Sequence, residues 1–325
     1  MDKKTLCRIA GASLGAMVLG ISASAQAQYP SKPVRMIVSG APGGSNDAIA
    51  RTISQKLSER WGQSVVVENH SGASGAIAVG MVARSTPDGY TLGNLGASTL
   101  VGLTTSTEIK RDFNFKTAFA PITQLVSQPY VFVINPALPI NSIADLVAYA
   151  KKNPGALNYA SLGDNTSTHL GMELFASLAG IEMTHVPYKA TAQIATDLMA
   201  GRVQALLGGA LSSMPLVKAG KLRALAVTSA VRSKVMPDLP TVSESGVPGY
   251  SLDPWFGLMG PAGLPQALIQ RVHGDAVASM NTADMREKFA ATGTEVVTSA
   301  VPADFGAMLN REIDRWEKFA AARKK

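Results

Sequence analysis

The amino-acid sequence predicts an α/β fold, and three observations carry that prediction. Short β-like runs alternate with helical ones along nearly all of the 325 residues, the pattern of layered α/β architecture. Two strand–loop–helix units with polar helix starts fall in different halves of the chain. No low-complexity stretch or Gly/Ser linker lies between those halves, so any two lobes must be joined by strands rather than by a flexible tether.

The N-terminus reads as a secretory signal. Lys3, Lys4 and Arg8 form a positive segment, and a small-residue apolar stretch runs from Ile9 to Ile21. Ala23-Ser24-Ala25-Gln26-Ala27 then offers two overlapping A-x-A sites. Cleavage after Ala27 leaves Gln28 as the mature start. A retained transmembrane anchor needs about 20 apolar residues, and this stretch is shorter. The only cysteine, Cys7, precedes the apolar stretch and is not placed to accept a lipid at the cleavage point. The mature chain therefore has no disulfide and no thiolate zinc site, and about 300 residues bury enough surface to fold without either.

Loss of Asp2, Lys3, Lys4 and Arg8 lowers the net charge from +7 to +5. A modest positive excess is compatible with anionic ligands. No Lys/Arg run with interleaved aromatics is present, so no nucleic-acid partner is expected. Arg323-Lys324-Lys325 reads as a solvated helix end.

In chain order, Val34–Val38 reads as a strand and Ser45–Arg60 as a helix, with Ile49, Ile53 and Leu57 recurring every four residues. Gly62 stops that helix. Val65–Val67 is the next strand, and Tyr90-Thr91-Leu92 begins another after the Pro87-Asp88-Gly89 turn. A second set starts with a strand at Val131–Ile134. Ser142 caps a helix carrying Ile143, Leu146 and Val147, which ends at Asn153-Pro154-Gly155. Leu157–Ser161 is again extended, a helix runs from about Ser167 to Leu178, and Leu222–Thr228 is a further strand. The tail from Pro302 places Phe305, Leu309, Ile313 and Trp316 at helical spacing, a stripe that reads as a docked terminal helix.

The most informative segment is Ser39-Gly40-Ala41-Pro42-Gly43-Gly44-Ser45-Asn46-Asp47, between a strand and a helix. Gly43 and Gly44 let the backbone turn sharply and approach a ligand. Ser45, Asn46 and Asp47 fall in the first helical turn, where free N–H groups and the helix dipole favour an anion. One such loop alone reads as well as a plain helix cap. A second instance, Ser161 to His169 with Gly163, Asn165, Thr166, Ser167 and Thr168, again follows a strand and opens a helix. Two such ends aimed across a cleft would make an anion site at the carboxyl ends of strands.

Enzyme signatures fail. The single G-x-S-x-G, Gly11–Gly15, lies in the signal segment. There is no S-x-x-K, H-E-x-x-H or phosphate-binding loop. His70, His169, His185 and His273 are scattered. His70 is expected to face solvent, and His169 to be a satisfied residue at a helix start rather than a base.

The chain resembles the Bug family, the extracytoplasmic solute receptors of tripartite tricarboxylate transporters. The resemblance rests on Tyr29–Pro33, Ala41–Gly44, Val65–Asn69, Pro87–Leu92, Leu157–Ser161, His185-Val186-Pro187-Tyr188-Lys189 and Lys218–Ser229. It continues through Leu239–Val242, Glu244-Ser245-Gly246, Pro261-Ala262-Gly263 and Arg315-Trp316, covering the mature chain in order. It implies a type II-like periplasmic-binding-protein fold, two α/β lobes joined by two crossing strands with the ligand cleft between them. The lobes would be residues 28–130 with 254–325, and 131–253. It also implies a periplasmic, monomeric receptor without cofactor or metal, holding a di- or tricarboxylate, acidic amino acid or aromatic acid for membrane permease subunits. A ligand-sensing adaptor for a membrane sensor kinase is the alternative use of the same cleft. The binding residues implied are Ala41 to Asp47, Gly163, Asn165 to His169, Lys189 and Ala190. Asn165, Thr166 and Ala190 depart from the family pattern, which bears on ligand identity.

Overall fold

A computed structural model describes residues 29–40, 42–72, 75–106, 113–188 and 191–322, without the side chain of Thr191. The signal segment with Cys7, together with Ala41, Lys189, Ala190 and Arg323–Lys325, lies outside the described residues.

The first sheet is assembled from both ends of the chain. β1 (Val34–Ser39), α1 (Ser45–Trp61), β2 (Val65–His70), α2 (Ala76–Ala83), β3 (Thr91–Gly96), α3 (Ala97–Thr105) and β4 (Phe119–Ser127) come first. β10 (Trp255–Pro261), α8 (Gln266–Met280), α9 (Ala283–Ala290), β11 (Glu295–Val296) and α10 (Pro302–Ala322) complete it. The intervening chain builds a second sheet from β5 (Tyr130–Ile134), α4 (Ile143–Lys152), β6 (Asn158–Ser161), α5 (Ser167–Ala179) and β7 (Thr184–Pro187). α6 (Thr191–Met199), β8 (Ala205–Gly209), α7 (Ala210–Lys218) and β9 (Arg223–Val227) finish it.

The two sheets repeat one plan. The orders are β11-β4-β10-β3-β1-β2 and β7-β6-β8-β5-β9. In each, two parallel β–α–β turns set three strands side by side, β2-β1-β3 or β7-β6-β8. Next to them runs one antiparallel strand from the crossover, β10 or β5, flanked by β4 or β9. Loops after β1 and β6 are therefore equivalent, as are those after β3 and β8. Parallel strands need crossover helices on their faces, which is why Val34, Met36, Ile37 and Val38 of β1 are all buried.

Local chemistry explains the element ends. Ile49, Ile53 and Leu57 are buried along α1, and Gly62 closes it at φ 64°, its N–H donating to Ser58 O at 3.0 Å. Ser142 Oγ accepts the Asp145 N–H at 3.0 Å at the start of α4. In α10, Phe305, Leu309, Ile313 and Trp316 are buried against β4 and α3.

The lobes meet at two short joints. Gln128 and Pro129 alone separate β4 from β5, and Tyr130 already pairs with Gly209 in the second sheet. The return path is bonded to the outgoing one. Gln128 N–H donates to Pro254 O at 2.7 Å and Tyr130 N–H to Thr228 Oγ1 at 2.9 Å, while within the return path Leu252 N–H donates to Thr228 O at 2.8 Å.

Candidate ligand-binding cleft

Between the sheets lie two adjoining hollows of about 470 and 620 Å³, which share Gly40, Ser98, Tyr130, Leu162 and Thr168 as walls. They are one cleft. The N-termini of α1 and α3 from the first sheet and of α5 and α7 from the second open onto it, and Gly75, the N-cap of α2, is also on its wall. Each follows the carboxyl end of a strand, and each presents unbonded first-turn N–H groups and the positive end of a helix dipole. Among the described wall residues there is no lysine or arginine, and Asp164 is the one charged side chain. An anion here would be held by neutral donors.

The first loop is locked from within. Asn46 Nδ2 donates to Ser39 O at 3.0 Å and to Asn94 O at 3.2 Å, while Asn94 Nδ2 returns a bond to Asn46 Oδ1 at 2.9 Å. Asp47 is buried and accepts the Gly43 N–H at 2.9 Å. Its pairing with Arg51 holds the carboxyl below the usual carboxylate range. Gly43 gives its N–H to Asp47 rather than to the cleft, and Asp47 stabilises the turn without lining the cavity. Pro42 is also off the cleft wall, whereas Gly44, Ser45 and Asn46 are on it.

The second loop follows the same logic. Gly163 stands at φ 115° and Asn165 at φ 57°, a left-handed conformation uncommon for a side chain. Thr166 Oγ1 caps α5 by accepting the His169 N–H at 3.3 Å and donates to Gly163 O at 2.8 Å. Asn165, Thr166, Ser167 and Thr168 line the cleft, and Ser167 Oγ lies 2.9 Å from the Tyr130 hydroxyl. Burial pushes the Tyr130 phenol up, so it stays a neutral hydrogen-bonding group. Gly163 bonds back to Ser161 and is not on the wall. His169 is buried behind the loop, with both ring nitrogens facing protein partners. His70 ends β2 half-buried, 3.6 Å from Glu68, rather than freely solvated.

One arrangement imitates a hydrolase. Ser161 Oγ lies 2.6 Å from His185 Nε2, and Asp164 Oδ1 lies 3.5 Å from His185 Nδ1. Ser161 is fully buried, and its oxygen already donates to Gly163 O and accepts the Gly163 N–H, both at 3.0 Å. A nucleophile must reach a substrate, so this serine is structural.

Sequence reasoning did not find Ser98, Gln128, Tyr130 or the α7 start at Gly209–Ser212, all of which line the cleft. The signal was available for two of them. Gly96-Ala97-Ser98-Thr99 and Gly208-Gly209-Ala210-Leu211-Ser212 are also strand ends followed by glycine and a small polar helix start.

Two α/β lobes on paired crossing segments, sharing a cleft lined by strand ends, define a solute-binding receptor. The chain belongs to the tripartite tricarboxylate transporter receptor family, TctC, of which residues 49–324 match the family description. Protein BugT of Bordetella pertussis is 34% identical over 300 residues, covering 91% of each chain. Among solved structures, Rpa4515 of R. palustris, determined with adipate, is 34% identical with a TM-score of 0.74, covering 90% of this chain and 97% of that one. MatC of Rhodopseudomonas palustris with bound malate is 26% identical with a TM-score of 0.72, covering 90% and 100%. The family consists of receptors rather than enzymes.

Proposed function

We propose that this chain is exported to the periplasm through its N-terminal signal, captures a small carboxylate in the inter-lobe cleft and delivers it to the permease of a tripartite tricarboxylate-type transporter. The observation that carries this reading is the convergence of helix N-termini from both sheets on one cleft without a described cationic wall residue. The solved relatives with adipate and malate support a carboxylate as the ligand. The lobes of this receptor are residues 28–130 with 254–325, and 131–253, and the pairing of Tyr130 with Gly209 supports a crossing close to that boundary. Ligand is held by Gly44, Ser45, Asn46 and Asn165 to Thr168, together with Ser98 and Tyr130.

The cleft also favours a particular body for the acid. Leu162 and Leu211 are 48% and 63% exposed, and both lie on the cleft wall. Exposed leucines at a polar site are waiting for apolar surface. A carboxylate on an aliphatic or aromatic body should therefore bind better than a heavily hydroxylated one. Thermal shift against a panel of mono-, di- and tricarboxylates, amino acids and aromatic acids tests both statements. Ligand at 100 times its dissociation constant should add about 2.7 kcal/mol of stability. A panel without any stabilising acid refutes the receptor reading.

A further inference from the structure

Behind the second loop, the rings of His169, in the first turn of α5, and His185, on β7, stack with centroids 3.9 Å apart and planes 13° from parallel. Tyr159 of β6 continues the stack, 5.1 Å from His185 and 6.3 Å from His169. Each histidine holds the loop at one point. His169 Nδ1 accepts the N–H of Asn165 at 3.0 Å. His185 Nε2 lies 2.6 Å from Ser161 Oγ, which in turn bonds both the N–H and the carbonyl of Gly163. Gly163 and Asn165 are the two left-handed residues of the loop, and their conformation sets where Thr166, Ser167 and Thr168 stand on the cleft.

An amide N–H can donate only to an unprotonated ring nitrogen. His169 is therefore neutral at Nδ1, with its Nε2 proton toward Glu173 Oε1 at 3.4 Å. Protonating Nδ1 would set a donor against a donor and leave Asn165, at φ 57°, without the bond that compensates its conformation. A second proton on His185 would place two cations face to face at 3.9 Å. Burial and the neighbouring His169 draw the His185 imidazole below its ordinary range, while Asp164 and Glu173 oppose that. The titratable groups facing the pair are Asp164 on the loop, Glu173 on α5 and Tyr159 on β6. β8 and α3, which also pack on α5, carry no titratable side chain.

A metal centre fits the same atoms less well. One donor atom each of Asp164, His169 and His185 falls within 4.8 Å of the others. A metal must lie in the plane of each imidazole it binds, though, and these planes are stacked, with both His169 nitrogens already engaged.

We propose that His169 and His185 are positioning residues for ligand capture: stacked on each other, they hold the Gly163–Thr168 loop in its anion-accepting shape, and a proton on His169 Nδ1 releases it, so affinity falls in acid. This rests on the carboxylate-receptor reading but predicts the opposite sign to simple electrostatics, in which protonated histidines would attract an anion. The test has two arms. In the ligand-free protein, exchange protection of the Asn165 amide should drop at least about tenfold more than that of amides in β1 between about pH 7.5 and about pH 5.5. In calorimetry with adipate and malate as probes, affinity should fall about tenfold over the same interval. His169→Asn keeps an acceptor near the place of Nδ1 without a titrating ring, and it should lose most of that pH ratio. His169→Phe keeps neither and should bind weakly at both pH values. Comparison with His169→Asn also removes any effect of probe ionisation. An unchanged Asn165 amide, equal pH ratios in the wild type and His169→Asn, or tighter binding in acid would each overturn the proposal. So would stabilisation by zinc that His185→Phe abolishes. Should neither acid bind, the receptor reading falls, while the exchange measurement still decides the role of the histidines.

Discussion

Thr166 concentrates three contacts on one oxygen. Its Oγ1 donates to Gly163 O at 2.8 Å, accepts the His169 N–H at 3.3 Å and lies 3.2 Å from Thr168 Oγ1. The residue is thus the N-cap of α5 and a wall of the cleft at once. Thr166→Ala removes a cap, which costs about 0.5–2 kcal/mol of stability. The altered loop should also weaken carboxylate binding by about 0.5–1.5 kcal/mol, the worth of one neutral hydrogen bond. Thr166→Ser restores the hydroxyl and should recover both. Denaturant midpoints and calorimetry on the two variants separate the effects. Full affinity in Thr166→Ala would mean that the hydroxyl only caps the helix.

Among the elements, α10 shows what a local pattern can establish. Phe305, Leu309, Ile313 and Trp316 announce a buried stripe in the sequence, and all four are buried in the fold. Trp316 is fully buried, edge-on to Phe319 with ring centroids 5.5 Å apart, and its Nε1 donates to Glu312 Oε2 at 3.3 Å. Trp316→Ala should cost about 3–5 kcal/mol, because transfer and cavity terms add. Urea unfolding measures it, and a loss under about 1 kcal/mol would show that the site collapses around the gap. The strand beneath this helix was not legible. β10 contains Gly257, Gly260 and Pro261, residues that read locally as breakers. Gly257 is there because a Cβ would strike the Phe305 ring of α10, a contact made nearly fifty residues later in the chain. The same limit applies at the cleft. The polar run Ser45-Asn46-Asp47 is visible in the sequence, but tertiary partners decide which of these donors hold the loop and which face a ligand. Asn46 is engaged with Asn94 of β3 and Asp47 with Gly43 and Arg51, pairings that the sequence alone does not rank.

At the scale of the whole molecule, the fold is one plan used twice, and a paired joint links the copies. Asp253 lies on the returning segment and accepts the Ser127 hydroxyl from the end of β4 at 2.5 Å. Burial raises its pKa from 3.8 to about 6, Glu295 and Glu312 add to the rise, and Ser127 and Arg315 oppose it. The folded protein therefore keeps a proton on Asp253 that the unfolded chain has already released above its own carboxylate pKa. Stability from this group is fully present below the unfolded value of 3.8, falls as pH rises to about 6, and stays at its lower level beyond. Asp253→Asn keeps the shape and an acceptor for Ser127 without an ionising group. It should leave stability near pH 4 unchanged and raise it at neutral pH by about 1–3 kcal/mol, since each pKa unit is worth about 1.4 kcal/mol. Urea midpoints of both proteins at the two pH values measure the difference. A gain of equal size at both would assign the effect to altered packing, and no gain at neutral pH would show that the joint opens enough to hydrate the carboxylate.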